Sequence, residues 1–228
     1  MGTDDLFKKR HAKLQERKKE LRTPKPNSFL IVSEGKKTEP LYFDGLAKYI
    51  NEKFGQSIDI EKPTIDTQGE GKCTVSLVQE TARIVRDAKI LYSQVWVVFD
   101  KDDFRDFDEA IDLAERYGFR VAWSNQSFEY WIYLHFNYSD SALHRDDWVT
   151  KLSDIFTSWG INKVGYQKND PNVFNLAITH GSLKAAVNNA MRIEKAYDEQ
   201  TKPSQRDPCT TVHRLIMELK PYISELLK

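Results

Sequence analysis

Apolar positions fall into two rhythms along the chain. Between residues 28 and 125, short and nearly continuous apolar runs alternate with longer stretches whose apolar residues recur at helical spacing. The runs predict strands at Phe29–Ser33, Ile58–Thr67, Gln94–Phe99 and Arg120–Ser124. The stretches between them predict helices near Thr38–Lys53, Cys73–Lys89 and Arg105–Tyr117. Strands that are apolar on both faces and separated by helix-length segments suit a parallel sheet covered on both sides. From Ser127 onward the rhythm is helical, over Phe128–Phe136, Asp146–Trp159, Leu183–Tyr197 and Thr211–Leu227, joined by loops rich in Asn, Gly and Pro. Residues 1–22 carry a thin apolar line, Phe7, Leu14 and Leu21, on a polar and basic background, and the two prolines of TPKPNS, residues 23–28, are the expected stop of that helix. The expected organisation is a basic N-terminal helix and linker over 1–27, an α/β unit over 28–125, and a helical C-terminal portion packed on it over 126–228. The α/β unit holds a mostly parallel four-stranded sheet flanked by helices.

A chain of 228 residues has room for such a core. No apolar run approaches the roughly 18 residues that a membrane span needs. The N-terminus also lacks the apolar stretch of a signal peptide, so a cytoplasmic protein is expected. Cys73 and Cys209 lie far apart without paired histidines, which encodes neither a disulfide framework nor a zinc site.

Lys plus Arg balances Asp plus Glu at 34 each, but the charge is unevenly spread. Residues 1–26 hold nine basic against four acidic residues, a net of +5, whereas residues 100–115 hold eight acidic against two basic, a net of −6. The first segment suits nucleic-acid phosphates, a partner helix or a purely solubilising tail. The second suits a cation.

Ligands of open α/β sheets gather beyond the carboxyl ends of the strands. Two acidic clusters fall there: FLIVSEGKKTEP, with Glu34 in the turn after the first strand, and VWVVFDKDDF, with Asp100 ending the third and Asp102 two residues on. If those strands are neighbours, Glu34, Asp100 and Asp102 converge. Three carboxylates in one crevice repel unless a cation neutralises them, and an all-oxygen set selects Mg2+, with Mn2+ the alternative ion. Mg2+ typically bridges carboxylates to phosphate oxygens, and Lys36 and Lys37 beside a helix start suit a phosphodiester backbone.

Each of these residues also has a plainer reading. Asp103, Asp106 and Asp108 fit the acidic first turn of a helix, with Asp103 kept as a secondary candidate. Glu39 either caps the first helix or supports the site. Glu129, a carboxylate among Phe128, Tyr130 and Trp131, is costly to bury without a lysine or a metal beside it. His135, in the same aromatic helix, reads first as a hydrogen-bonded core histidine. Tyr166 and Lys168 in VGYQKND are candidate substrate contacts on a polar loop.

A glutamate and glycine after the first strand, followed by Asp-x-Asp after a later one, resemble the Toprim domain of primases, topoisomerases and small nucleases. Four stretches in order, IVSEGKKTEPLYFDGL, VVFDKDDF, SNQSFEYWIYLHF and QRDPCTTVHRLIMEL, extend that resemblance to the RloB family. This is a Toprim-like group linked to restriction loci and abortive phage infection, and the likeness covers nearly all of residues 28–220. It implies a metal-dependent nuclease acting on DNA or RNA in antiviral defence, often beside an ATPase partner. It also implies that Glu34 acts as general acid or base and joins Asp100 and Asp102 at the metal. Glu129 and His135 match the family pattern. Gln126 stands where the family usually has proline, and Asp207 where asparagine is usual. A catalytically silent Toprim-like binding or regulatory subunit is the alternative, and oligomeric state is left open. A nucleotide-sugar transferase would use the Asp-x-Asp but leave Glu34 and the lysines without a role. A primase or topoisomerase would need a cysteine cluster or a longer chain.

Overall fold

The computed structural model describes residues 23–35, 37–54, 58–61, 73–101 and 105–228. The basic N-terminal helix, Lys36, Asp102, Asp103 and the far part of the second predicted strand lie outside the described residues.

The alternating half of the chain forms β1 (Thr23–Ser33), α1 (Thr38–Phe54), β2 (Ile58–Glu61), α2 (Cys73–Asp87), β3 (Ile90–Lys101), α3 (Phe107–Arg116) and β4 (Arg120–Asn125). The C-terminal half forms α4 (Phe128–Tyr133), α5 (Arg145–Ser158), α6 (Val173–His180), α7 (Leu183–Glu194), β5 (Cys209–Thr210), α8 (Val212–Glu218) and α9 (Lys220–Ile223). This is the expected Toprim-like α/β architecture. Four parallel strands lie in the order β2-β1-β3-β4, and the two-residue β5 pairs antiparallel with β4. No described helix is long and apolar enough to cross a membrane.

The strand order places the crevice. From β1 the chain steps outward to β2, then returns past β1 to β3 and continues to β4. Connections therefore change direction between β1 and β3, which is where an open α/β sheet receives ligands. Leu30, Ile31 and Val32 of β1 and Val97, Val98 and Phe99 of β3 are all buried, as central parallel strands covered on both faces require.

Three expectations are corrected. TPKPNS was expected to be a linker, but β1 begins at Thr23, with Thr23, Pro24 and Lys25 paired to Ile90, Leu91 and Tyr92 and a register shift before Phe29. Proline is tolerated because β2 pairs only with Phe29–Val32, which leaves the other side of that stretch as an edge among the described residues. Second, the helix expected over Thr211–Leu227 is divided, because Pro221 cannot donate within a continuing helix and instead sits at the start of α9. Third, α6 falls where a loop was expected. Eight residues are too few to hold a helix in water, so packing supplies the stability. A Cβ added at Gly45 of α1 would lie 2.7 Å from Phe174 Cβ, and only glycine permits so close an approach.

Tyr42 of α1 is the hub of this packing, with edge-on contacts to Phe43, Phe128, Trp131, His135 and Phe174. His135 is buried there, with Nδ1 3.1 Å from the Trp131 carbonyl and Nε2 3.0 Å from the Tyr42 hydroxyl. A carbonyl can only accept, so Nδ1 carries the proton and Nε2 accepts from Tyr42. Burial pushes the imidazole pKa down to about 4. His135 is therefore the core histidine of its plainer reading.

The sign of its pH effect follows. A pKa below the unfolded value of 6.5 means that His135 contributes stability above that pH and loses it as pH falls towards about 4, by about 3 kcal/mol at most. His135→Gln should flatten the stability profile between those limits relative to wild type. Urea midpoints across the range check this, and parallel curves would refute it.

Candidate functional site

β1 and β3 are hydrogen-bonded neighbours, so their acidic tips meet. Ser33 pairs with Val98, and the Glu34 amide donates to the Val98 carbonyl at 2.9 Å. Asp100 follows at the end of β3, in register with Ser124 of β4. One carboxyl oxygen of Asp100, Oδ2, accepts from the Phe128 amide at 2.9 Å, which pins the tip of β3 to the first residue of α4. The other, Oδ1, is buried with no hydrogen-bond partner.

A cavity of about 290 Å³ opens above this tip. Its lining brings together the carboxylates Glu39, Asp100 and Glu129, the cations Lys37, Arg145 and Lys168, and the hydroxyls of Thr38 and Ser127. Glu39 is buried at the start of α1, its carboxyl folded over Gly35 so closely that a Cβ there would lie 1.9 Å from Oε2. The glycine after Glu34 is thus the gap that lets Glu39 reach inward.

Glu129, 3% exposed, has one carboxyl oxygen surrounded by partners. Its Oε1 accepts from Thr38 Oγ1 at 3.2 Å and from the Tyr166 hydroxyl at 3.3 Å, and lies 3.4 Å from Lys168 Nζ. Of the two sequence alternatives the lysine pair is present, and the carboxylate also faces the hollow. Tyr166 is a buried donor whose phenol is held well above its ordinary pKa, first by burial and then by the Glu129 charge.

Asp100 feels the crowding. Burial holds its carboxyl well above the usual carboxylate range, the charges of Glu39 and Glu129 add to that, and Glu34 adds least, against the opposing pull of the Phe128 amide.

Of the sequence-predicted residues, the structure gathers Lys37, Glu39, Asp100, Glu129 and Lys168 around one hollow and sets Glu34 beside it on the adjoining strand. His135 does not line it. Asp106 and Asp108 serve other elements: Asp106 accepts the Val75 amide at the start of α2, and Asp108 accepts the Ser204 amide and hydroxyl. Thr38, Ser127 and Arg145 were not anticipated. Thr38 lies within the first acidic motif, but Ser127 and Arg145 reach the hollow only through tertiary packing.

Oxygen donors suit a hard cation, and the buried, unpartnered Oδ1 of Asp100 is where one would bind. Among the described residues no group of three or more His, Cys, Asp and Glu is arranged to hold a metal ion. A larger cavity, about 610 Å³, lies towards the other end of β3 and β4, but its arginines are already matched, Arg120 by Glu218 and Arg214 by Glu194.

Compared with known families, residues 29–219 match the one described as RloB-like protein. No curated protein and no solved structure matches significantly.

The carboxyl pKa of Asp100, raised above its unfolded value of 3.8, means that stability is lost as pH rises through that group's titration. Without divalent ions, Asp100→Asn should therefore be the more stable protein at pH 8, on the order of 1–3 kcal/mol, as expected on removing the uncompensated charge of a buried group. The gap should close below about pH 4. Denaturant melts in chelator check it, and an equal gap at both pH values would refute it.

Proposed function

The chain belongs to the RloB-like protein family, and we propose that it is a Mg2+-dependent nuclease, hydrolysing phosphodiester bonds of DNA or RNA in antiviral defence together with an ATPase partner. The observation that carries this reading is the unpartnered carboxyl oxygen of Asp100, set among other carboxylates at the point where the sheet's connections reverse.

In this reading Asp100, with Asp102, holds the ion. The bound ion supplies charge neutralisation at the scissile phosphate and at the leaving oxygen. Glu34, on the neighbouring strand, moves the proton as general acid or base. Glu129, fixed by Thr38, Tyr166 and Lys168, keeps the far wall of the hollow polar and ordered. Lys37 at the rim faces the substrate backbone.

The second reading, a silent Toprim-like subunit that binds nucleic acid or regulates an ATPase, is favoured by one observation: Glu34 adjoins the hollow but does not line it. A single experiment separates the two. Cleavage of DNA and RNA by the purified chain, with and without its partner, should require Mg2+ or Mn2+. It should fall by about 10²–10⁴-fold in Glu34→Ala and Asp100→Asn, the range for loss of a group that transfers protons or holds charge in the transition state. Variants that cleave as fast as wild type would remove the nuclease reading.

A further inference from the structure

The formal charges of the described lining cancel. Among the described residues, Lys37, Arg145 and Lys168 face Glu39, Asp100 and Glu129, three formal charges of each sign. An anion entering such a site gains nothing from the cations that it does not lose to the carboxylates. Lys168, about half exposed, is moreover already engaged by Glu129 at 3.4 Å. Yet one wall has an unmet polar group. Ser127 is 4% exposed, lines the hollow, and its Oγ is buried with no hydrogen-bond partner. The floor has another, Asp100 Oδ1. One orphan is an acceptor that wants a cation, and the other can donate to an anion.

We propose that Ser127, Arg145 and Lys168 form a phosphate seat beside the carboxylates, and that the seat fills only after a divalent cation has bound at Asp100. The inference rests on the metal-dependent reading above and assigns the residues that would take the substrate's phosphate. A divalent ion changes the formal charge of the described lining from zero to +2, which converts an indifferent hollow into one that attracts phosphate. It also takes over neutralisation of the carboxylates, so that Lys168 can turn from Glu129 to the incoming anion. The order matters for a chain that meets nucleic acid in excess, since phosphate would not occupy the centre before the ion does.

Linkage makes this measurable without turnover, because a cation that favours phosphate must itself be favoured by phosphate to the same degree. The full chain is titrated with Mg2+ by calorimetry, with and without inorganic phosphate as the probe, correcting for Mg2+–phosphate pairing in buffer. Phosphate should tighten Mg2+ binding by at least about fivefold, the lower end of ordinary coupling between sites. In Ser127→Ala, Mg2+ alone should bind as in wild type, while phosphate affinity falls by about tenfold, as for loss of a hydrogen bond to a charged group. In Lys168→Gln, Mg2+ alone should bind more tightly, because a competing positive charge is gone, yet phosphate should tighten it less. If Mg2+ binds and phosphate leaves its affinity unchanged, or tightens it equally in both variants, the phosphate seat is wrong and the metal reading survives. If Mg2+ does not bind at all, both fall.

Discussion

The hydrogen bond from the Phe128 amide to Asp100 Oδ2 is the interaction on which the arrangement turns. It joins the tip of a central strand to the start of a helix from the other half of the chain. The helix so placed delivers Glu129 to the hollow on its first turn and Trp131 to the Tyr42 cluster on its second, with His135 just beyond its end. One backbone donor therefore sets the direction of a carboxylate and, through α4, the spacing between that carboxylate and a second one. A strand tip carrying only a solvated aspartate would not need such a tether.

Crowding carboxylates against a buried strand end is unfavourable in itself. Unpaired charge in a low-dielectric setting is destabilising, and the raised pKa of Asp100 is the sign of that tension. The surroundings hold the residues in place regardless. Tyr42 packs edge-on against five aromatic or histidine rings, and the neutral His135 secures its hydroxyl. Such packing is rigid, so the acidic groups cannot drift apart to relieve their repulsion. Glu129 is relieved by Lys168, whereas the unpartnered oxygen of Asp100 leaves protonation as the relief its raised pKa records.

Legibility in the sequence followed the length and regularity of the signal. The runs at Phe29–Ser33 and Gln94–Phe99 read as buried parallel strands, because both faces are covered and no polar alternation interrupts them. Their acidic ends were equally plain. What no local pattern contains is which distant segments close over those ends. Arg145 and Ser127 became part of the hollow only through tertiary packing, and Lys168, a candidate substrate contact from its loop, gave no local sign of its ion pair with Glu129. Helix α6 was missed for a related reason: its stability comes from Phe174 against Gly45 and not from its own eight residues. The stretch Thr23–Ser28 misled in the opposite direction, since proline forbids a paired interior position but not the edge it occupies here.

The two departures from the RloB pattern show how sequence distance conceals physical unity. Gln126 and Asp207 are 81 positions apart and read as unrelated exceptions. In the fold they touch, Gln126 Nε2 donating to Asp207 Oδ2 at 2.9 Å. Asn125 beside them donates to the carbonyl of Arg206 at 3.0 Å, and Asp108 of α3 holds Ser204 of the same loop. A proline at 126 would have no side-chain donor to offer Asp207, so the side chain found at one position gives the other its partner. The two residues therefore make one local contact, where β4 hands over to Ser127 and α4. It fastens the back of the segment whose front is fastened by Asp100, and it leaves the carboxylates themselves unaltered.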